Sequence, residues 1–284
     1  MTPIIDAHQH LWDPSARTYS WLDDSVGPIN RTFGPDELVP QLRSAGVDQT
    51  ILVQAADTYE DTFAMLSVAD RYAFVAGVVG WVPLDRPDEA DAALTVLAEH
   101  PKFVGMRALI HTYADADWIV QSHIVDALRS LAERRLAFDL VAVNARHLEH
   151  AATLARTLPE LQIVIDHLAK PPIADRGWQP WADLLAAAAR FPNVAAKISG
   201  LNTAAGPDWS ADDLQPYVDH ALAAFSAQRL MFGGDWPVST LAGDYQRVWD
   251  ATNKTLEHLE ENDRQDILGR TAQHIYRLDA TTIS

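Results

Sequence analysis

The sequence predicts an α/β protein built as one (β/α)8 barrel, and three observations carry that expectation. Short β-branched runs recur eight times, about 25 to 45 residues apart, which is room for a strand, a helix and two loops. Most of these runs are nearly continuous apolar stretches, as parallel strands buried on both faces should be. No composition break, Pro/Ser-rich linker or low-complexity segment divides the chain, so residues 1–284 read as a single domain. An open doubly wound sheet is the rival, but it would normally hold fewer strands.

The expected strands are Ile4–His10, Thr50–Gln54, Phe74–Val82, Phe103–Leu109, Phe138–Val143, Ile163–His167, Val194–Gly200 and Leu230–Trp236. Helical punctuation fills the gaps. Pro35–Gly46 opens on proline and closes on glycine, the usual asymmetry of helix ends. Thr58–Tyr72 starts on Thr58 with Asp61 three positions later, a weak capping box. Pro87–His100 carries Ala90, Ala93, Leu94 and Leu97 on one stripe. Asn144 caps a segment that Pro159 stops after Leu158, and Ser210 caps another, with Asp212 and Asp213 in its first turn. Trp178–Phe191, Gln246–Glu260 and the short Asp263–Leu268 complete the helices. The irregular stretch Leu11–Gly34 carries Trp12, Tyr19, Trp21 and Pro28 and follows the first strand. In a barrel that loop overhangs the catalytic end, so it reads as a pocket wall.

Composition narrows the function. With 22 Lys+Arg against 39 Asp+Glu, the formal charge is −17, which argues against nucleic acid or an anionic membrane as partner. The absence of cysteine excludes a disulfide scaffold, an iron–sulfur cluster, a thiolate zinc site and a cysteine nucleophile. No run approaches the roughly 20 apolar residues of a membrane span. The start of the chain has neither a basic region nor an apolar signal core, so a soluble cytoplasmic protein is expected.

Chemistry concentrates at strand ends. Alternation along Ile5–His10 puts Asp6, His8 and His10 on one face, expected to be the barrel interior, with Ile5 and Ala7 turned to the helices. Two imidazoles at the carboxyl end of the first strand can offer two nitrogens to one divalent cation. Isolated pairs of this kind are more often plain surface histidines; the strand-end position is what favours a ligand role. Asp166 and His167 end the sixth strand, with Lys170 close behind and Pro171 and Pro172 terminating the segment. Gly233 and Gly234 weaken the last strand and signal close backbone approach; Asp235 follows, as a general base, a metal ligand or, more blandly, a helix cap. Arg107 interrupts an apolar strand and must meet either a carboxylate of the protein, such as Asp139, or an oxygen-rich ligand. Lys197 raises the same question. Trp81, ending the third strand, is expected to line the pocket. No P-loop, dinucleotide fingerprint or nucleophile elbow is present.

Taken together, Asp6-Ala-His-Gln-His-Leu-Trp-Asp13, Gly105-Met-Arg107, Asp166-His-Leu-Ala-Lys-Pro171, Lys197-Ile-Ser-Gly-Leu201 and Phe232-Gly-Gly-Asp-Trp-Pro237 resemble the amidohydrolase superfamily. The nearest likeness is to its sugar-lactonase branch, which includes L-fuconolactonases, L-rhamnonolactonases and 2-pyrone-4,6-dicarboxylate lactonases. The motifs fall in order along nearly the whole chain, and the His-Leu-Ala-Lys-Pro and Gly-Gly-Asp-Trp-Pro pair is the most specific. The resemblance implies a (β/α)8 barrel of amidohydrolase type that opens a lactone of a sugar acid or related polar carboxylate. It implies His8, His10, His167 and Asp235 around one divalent ion, zinc or manganese, or else metal-free catalysis. Asp235 and His167 are then the catalytic residues, with Arg107, Trp12, Trp81, Trp236 and Lys170 binding substrate. Strand four offers Arg107 where binuclear members carry a bridging group, so two metals are not expected. The alternatives are a metal-dependent decarboxylase on the same scaffold, a cyclic-amide hydrolase, and an inactive barrel that binds a sugar acid. Oligomeric state is not readable.

Overall fold

Eight parallel strands, hydrogen-bonded in the order in which the chain supplies them, form the centre of the computed structural model, which describes residues 2–278. They are β1 (Ile5–Gln9), β2 (Gln49–Val53), β3 (Val75–Gly80), β4 (Phe103–Ala108), β5 (Ala137–Leu140), β6 (Ile163–Ile165), β7 (Val194–Ile198) and β8 (Leu230–Phe232). All eight expected strands are present. Several stop short of the expected carboxyl ends because the residues there leave the ladder to face a cavity. The last seam is closed beyond β8: the Asp235 amide donates to the His8 carbonyl at 2.8 Å, and the His10 amide to the Trp236 carbonyl at 2.8 Å.

The helices form an outer layer: α1 (Pro35–Ala45), α2 (Tyr59–Arg71), α3 (Pro87–Leu97), α4 (Ser122–Glu133), α5 (Ala145–Thr157), α6 (Trp181–Ala189), the short α7 (Leu201–Ala205), α8 (Ala211–Phe225) and α9 (Tyr245–Thr255). The expected caps operate. Thr58 accepts from the Asp61 amide at 3.2 Å, Asn144 from the His147 amide at 2.9 Å, and Ser210 forms a full capping box with Asp213. Helix α4 lies outside the sequence expectations, although its buried residues Ile124, Ala127, Leu128 and Leu131 keep a helical spacing. After α9, α10 (Glu261–Gln265), a π-turn (Asp266–Arg270) and α11 (Thr271–Ile275) run on as one helical segment. No helix among the described residues is long and apolar enough to cross a membrane.

One apolar cluster takes residues from all eight strands: Ile5, Ala7, Ile51, Val53, Val79, Val104, Ala137, Val164, Ala195 and Met231, joined by Ala272, Ile275 and Tyr276. A set contributed by every strand is the barrel interior, and the end of α11 plugs its floor. The orientation expected for β1 is therefore corrected. Ile5 and Ala7 point inward, and Asp6 points outward, where it accepts the Tyr245 hydroxyl of α9 at 2.7 Å. The cause is a bulge. Asp6 pairs with Thr50 and Gln9 with Leu52, so three steps on β1 face two on β2. The extra residue breaks strict alternation and leaves Ala7 and His8 both facing inward.

Candidate active site

A cavity of about 190 Å³ opens at the carboxyl ends of the strands. On this architecture that end is where chemistry is built. His10, Arg107, His167, Lys170 and Asp235 are among its lining residues.

On the cavity floor, β1 brings two histidines together. The His10 Nδ1–H donates to the Val53 carbonyl at 2.7 Å, which leaves the Nε2 lone pair free. That Nε2 lies 3.1 Å from His8 Nε2, and Asp235 Oδ1 is 3.7 Å from the first-strand His8 and 3.5 Å from His10. Four-coordinate zinc with bonds near 2.1 Å spaces its ligand atoms by about 3.4 Å. The three donors thus match a divalent cation in type, number and spacing. Two further observations agree. Burial, reinforced by Lys197 and His167 against the pull of Asp166, holds His8 well below the usual imidazole value, so it offers a neutral nitrogen. The buried Asp235 Oδ2 has no hydrogen-bond partner. Burial by itself would raise the Asp235 carboxyl, but His167, His10 and Lys170 outweigh it and keep the group ionised.

Asp235 is placed by the seam. Asp6 accepts the Gly234 amide at 2.8 Å and the His8 amide at 3.0 Å, and Gln9 accepts the Trp236 amide at 3.1 Å. The neighbouring glycine is obligatory: a Cβ on Gly233 would lie 2.6 Å from His8 Cβ. Close approach, the role expected of the glycine pair, is what the structure contains.

Behind these three side chains lies a buried charge network. Arg107 Nη1 donates to Asp166 Oδ2 at 3.0 Å, its Nη2 donates to the Gln54 carbonyl, and Nη1 lies 3.4 Å from His8 Nε2. Arg107 therefore has a protein carboxylate and also lines the cavity. Its partner is Asp166 and not Asp139, which binds Lys197 and the Tyr276 hydroxyl at 2.8 Å. Lys197 Nζ is also 3.1 Å from Asp166 Oδ1 and 3.0 Å from His8 Nδ1. Asp166 Oδ1 stands 3.2 Å from His8 Nδ1, the carboxylate-behind-histidine arrangement that fixes a ligand ring.

His167 arrives by an unusual backbone. Residues His167, Leu168, Ala169 and Lys170 have φ values of +54°, +48°, +60° and +51°. Left-handed L-residues cost about 1–2 kcal/mol each, and strain of this kind gathers where a side chain must be aimed. The turn is held by the Trp181 indole N–H, which donates to the Leu168 carbonyl at 2.7 Å. His167 Nδ1 is 2.9 Å from the Ser199 hydroxyl and 3.9 Å from Asp235 Oδ2, and burial lowers its pKa to about 3. Lys170 Nζ donates to Thr203 Oγ1 at 3.2 Å.

The expected histidines, Asp235, Arg107 and Lys170 are thus brought together. Three tryptophans are not. Trp12 is 1% exposed, its indole N–H donating to the Ile29 and Arg31 carbonyls, and it sits behind His10. Trp236 is 3% exposed and packs on Phe33, with ring centroids 5.3 Å apart. Trp81 packs edge-on against Tyr59 at 5.4 Å and does not line the cavity. Trp12 and Trp236 serve as packing within and beneath the long loop, and Trp81 as packing against α2. The loop's own Trp21 takes the wall position instead, anchored through its N–H to the Ala55 carbonyl at 2.6 Å. His111, which no sequence argument singled out, also lines the cavity; burial and the adjacent Arg107 lower its pKa to about 4.

Comparison with known proteins identifies the family. A family model described as Amidohydrolase matches residues 5–278. An L-fucono-1,5-lactonase of Burkholderia ambifaria is 42% identical over 283 residues, covering 98% of this chain and 97% of its own. An L-fucono-1,5-lactonase of Burkholderia multivorans is 33% identical, covering 96% of each chain. A zinc-bound amidohydrolase structure from Burkholderia multivorans superposes with a TM-score of 0.89 at 32% identity, over 98% of this chain and 100% of that one.

Proposed function

The chain belongs to the amidohydrolase family, and from that premise we propose that it hydrolyses the lactone ring of a sugar acid, with L-fucono-1,5-lactone the first compound to assay. One observation carries the reading: His8 Nε2, His10 Nε2 and Asp235 Oδ1 converge on the cavity floor while Asp235 Oδ2 is left without a partner.

His8, His10 and Asp235 would hold a divalent ion, which when bound would supply Lewis-acid polarisation of the lactone carbonyl and a more acidic water. The remaining work falls to side chains. Asp235 Oδ2 takes a proton from the attacking water as the new C–O bond forms at the carbonyl carbon. His167 accepts the Ser199 hydroxyl at Nδ1, so its neutral ring turns an Nε2–H towards the growing oxyanion. As the ring C–O bond breaks, Asp235 returns its proton to the leaving alkoxide. Arg107 and Lys170 orient the substrate's oxygens, and Trp21 and His111 wall the mouth. The two L-fucono-1,5-lactonase relatives favour ring opening over decarboxylation.

The test is acid release from a panel of aldonolactones, read by pH indicator, with zinc-loaded and chelator-treated protein. Ring opening to the acid, without carbon dioxide, is expected from loaded protein and is lost on chelation. No turnover of any lactone by zinc-loaded protein, or carbon dioxide as product, refutes the assignment.

A further inference from the structure

Two donor sets share His8: His8, His10 and Asp235 on one side, and His8, Asp166 and His167 on the other, each with its ligand atoms within 4.8 Å of one another. Spacing would allow two ions. Charge does not. We infer that the buried ammonium of Lys197 acts as an internal cation that occupies the Asp166 side of the site and restricts the chain to one divalent ion. The inference rests on the metal reading above.

Asp166 is the only anion of the second set, and two cations already hold it: Arg107 Nη1 at 3.0 Å and Lys197 Nζ at 3.1 Å. Lys197 Nζ also stands 3.0 Å from His8 Nδ1, beside the ring nitrogen that a second ion would use. Lys197 is fully buried, and so are Asp139 and Tyr276, which pin it from below. The ammonium cannot swing into solvent to make room. Inside the barrel the charges of Lys197 and Arg107 balance those of Asp139 and Asp166, so a dication added there would be uncompensated. The first set is different: among the described residues the only ion-pair partners of Asp235 are histidines, with no lysine or arginine.

The experiment titrates zinc into the metal-stripped full chain by calorimetry and counts retained zinc by atomic emission after gel filtration. Wild-type protein is expected to hold one zinc per chain. Lys197→Met, which removes the charge and keeps the length, is expected to hold two. The double variant Lys197→Met with Asp139→Asn preserves neutrality, so it gives the same reading even when the single variant fails to fold; it too is expected to hold two. Two zinc ions in wild type, or one in each folded Lys197 variant, overturns the inference. No zinc in wild type overturns instead the metal reading beneath it.

Discussion

Gly200→Ala tests the architecture of the site with a single methyl group. Gly200 sits at φ +56°, between β7 and α7, and a Cβ there would lie 2.6 Å from Asp235 Oδ2 and 2.7 Å from His167 Nδ1. Ordinary contact begins at 3.4 Å, so the Asp235 carboxylate must retreat by about 0.8 Å, the difference of the two distances. A misplacement of about 1 Å in a reacting group costs on the order of a hundredfold in rate. The left-handed backbone adds about 1–2 kcal/mol of strain, which for a domain of this size lowers Tm by roughly 2–3 °C. A control separates the two effects. Gly46 also has positive φ, +70°, but a Cβ there meets nothing within 4 Å. Gly46→Ala should lose similar thermal stability and keep its activity. The assay is kcat/KM for acid release from L-fucono-1,5-lactone, alongside Tm by scanning fluorimetry. A folded Gly200→Ala protein within about threefold of wild type, or an equal loss of activity in Gly46→Ala, refutes the reasoning.

Asp235→Asn keeps volume and removes the proposed base, so kcat should fall by about 10²–10⁴ with the circular dichroism spectrum unchanged. Tyr19→Phe removes the hydroxyl that donates to Asp61 Oδ1 at 3.0 Å and anchors the long loop. It should cost about 1 kcal/mol and raise KM several-fold with kcat nearly constant, and hydrogen exchange over residues 19–33 should quicken. Burial, with His150 nearby, lowers the pKa of His147 below 6.5. On acidification the unfolded imidazole therefore takes up a proton that the folded one refuses. Stability should rise with pH up to about 6.5 and fall below it, and Tm measured from pH 7 to 5 should fall less steeply in His147→Asn.

Much of this arrangement is legible in the amino-acid order, for identifiable reasons. Apolar runs mark all eight strands because parallel strands are buried on both sides, and Pro35 and Gly46 bracket α1 because each has one conformational use. Gly233 and Gly234 announce that another backbone comes close. What escaped depends on partners distant in sequence. Period-two counting assumes ideal pairing, and a bulge against β2 reverses Asp6 relative to His8. Trp12 and Trp236 share composition with a binding wall, and only the path of the loop decides that Trp21 faces the cavity while they lie beneath it. Lys197 looked like an isolated charge in a strand, since the carboxylates that neutralise it come from β5 and the end of β6. Helix α4 had its stripe but no proline or glycine at its start to draw attention to it.

The seam tying Asp6 to the Gly234 amide joins positions 228 residues apart. A ribosome therefore delivers both first-strand imidazoles long before the carboxylate that completes the donor set. Assembly of the proposed donor set is thus tied to closure of the barrel, because the contacts that bring Asp235 up to His8 and His10 are the ones that join the last strand to the first.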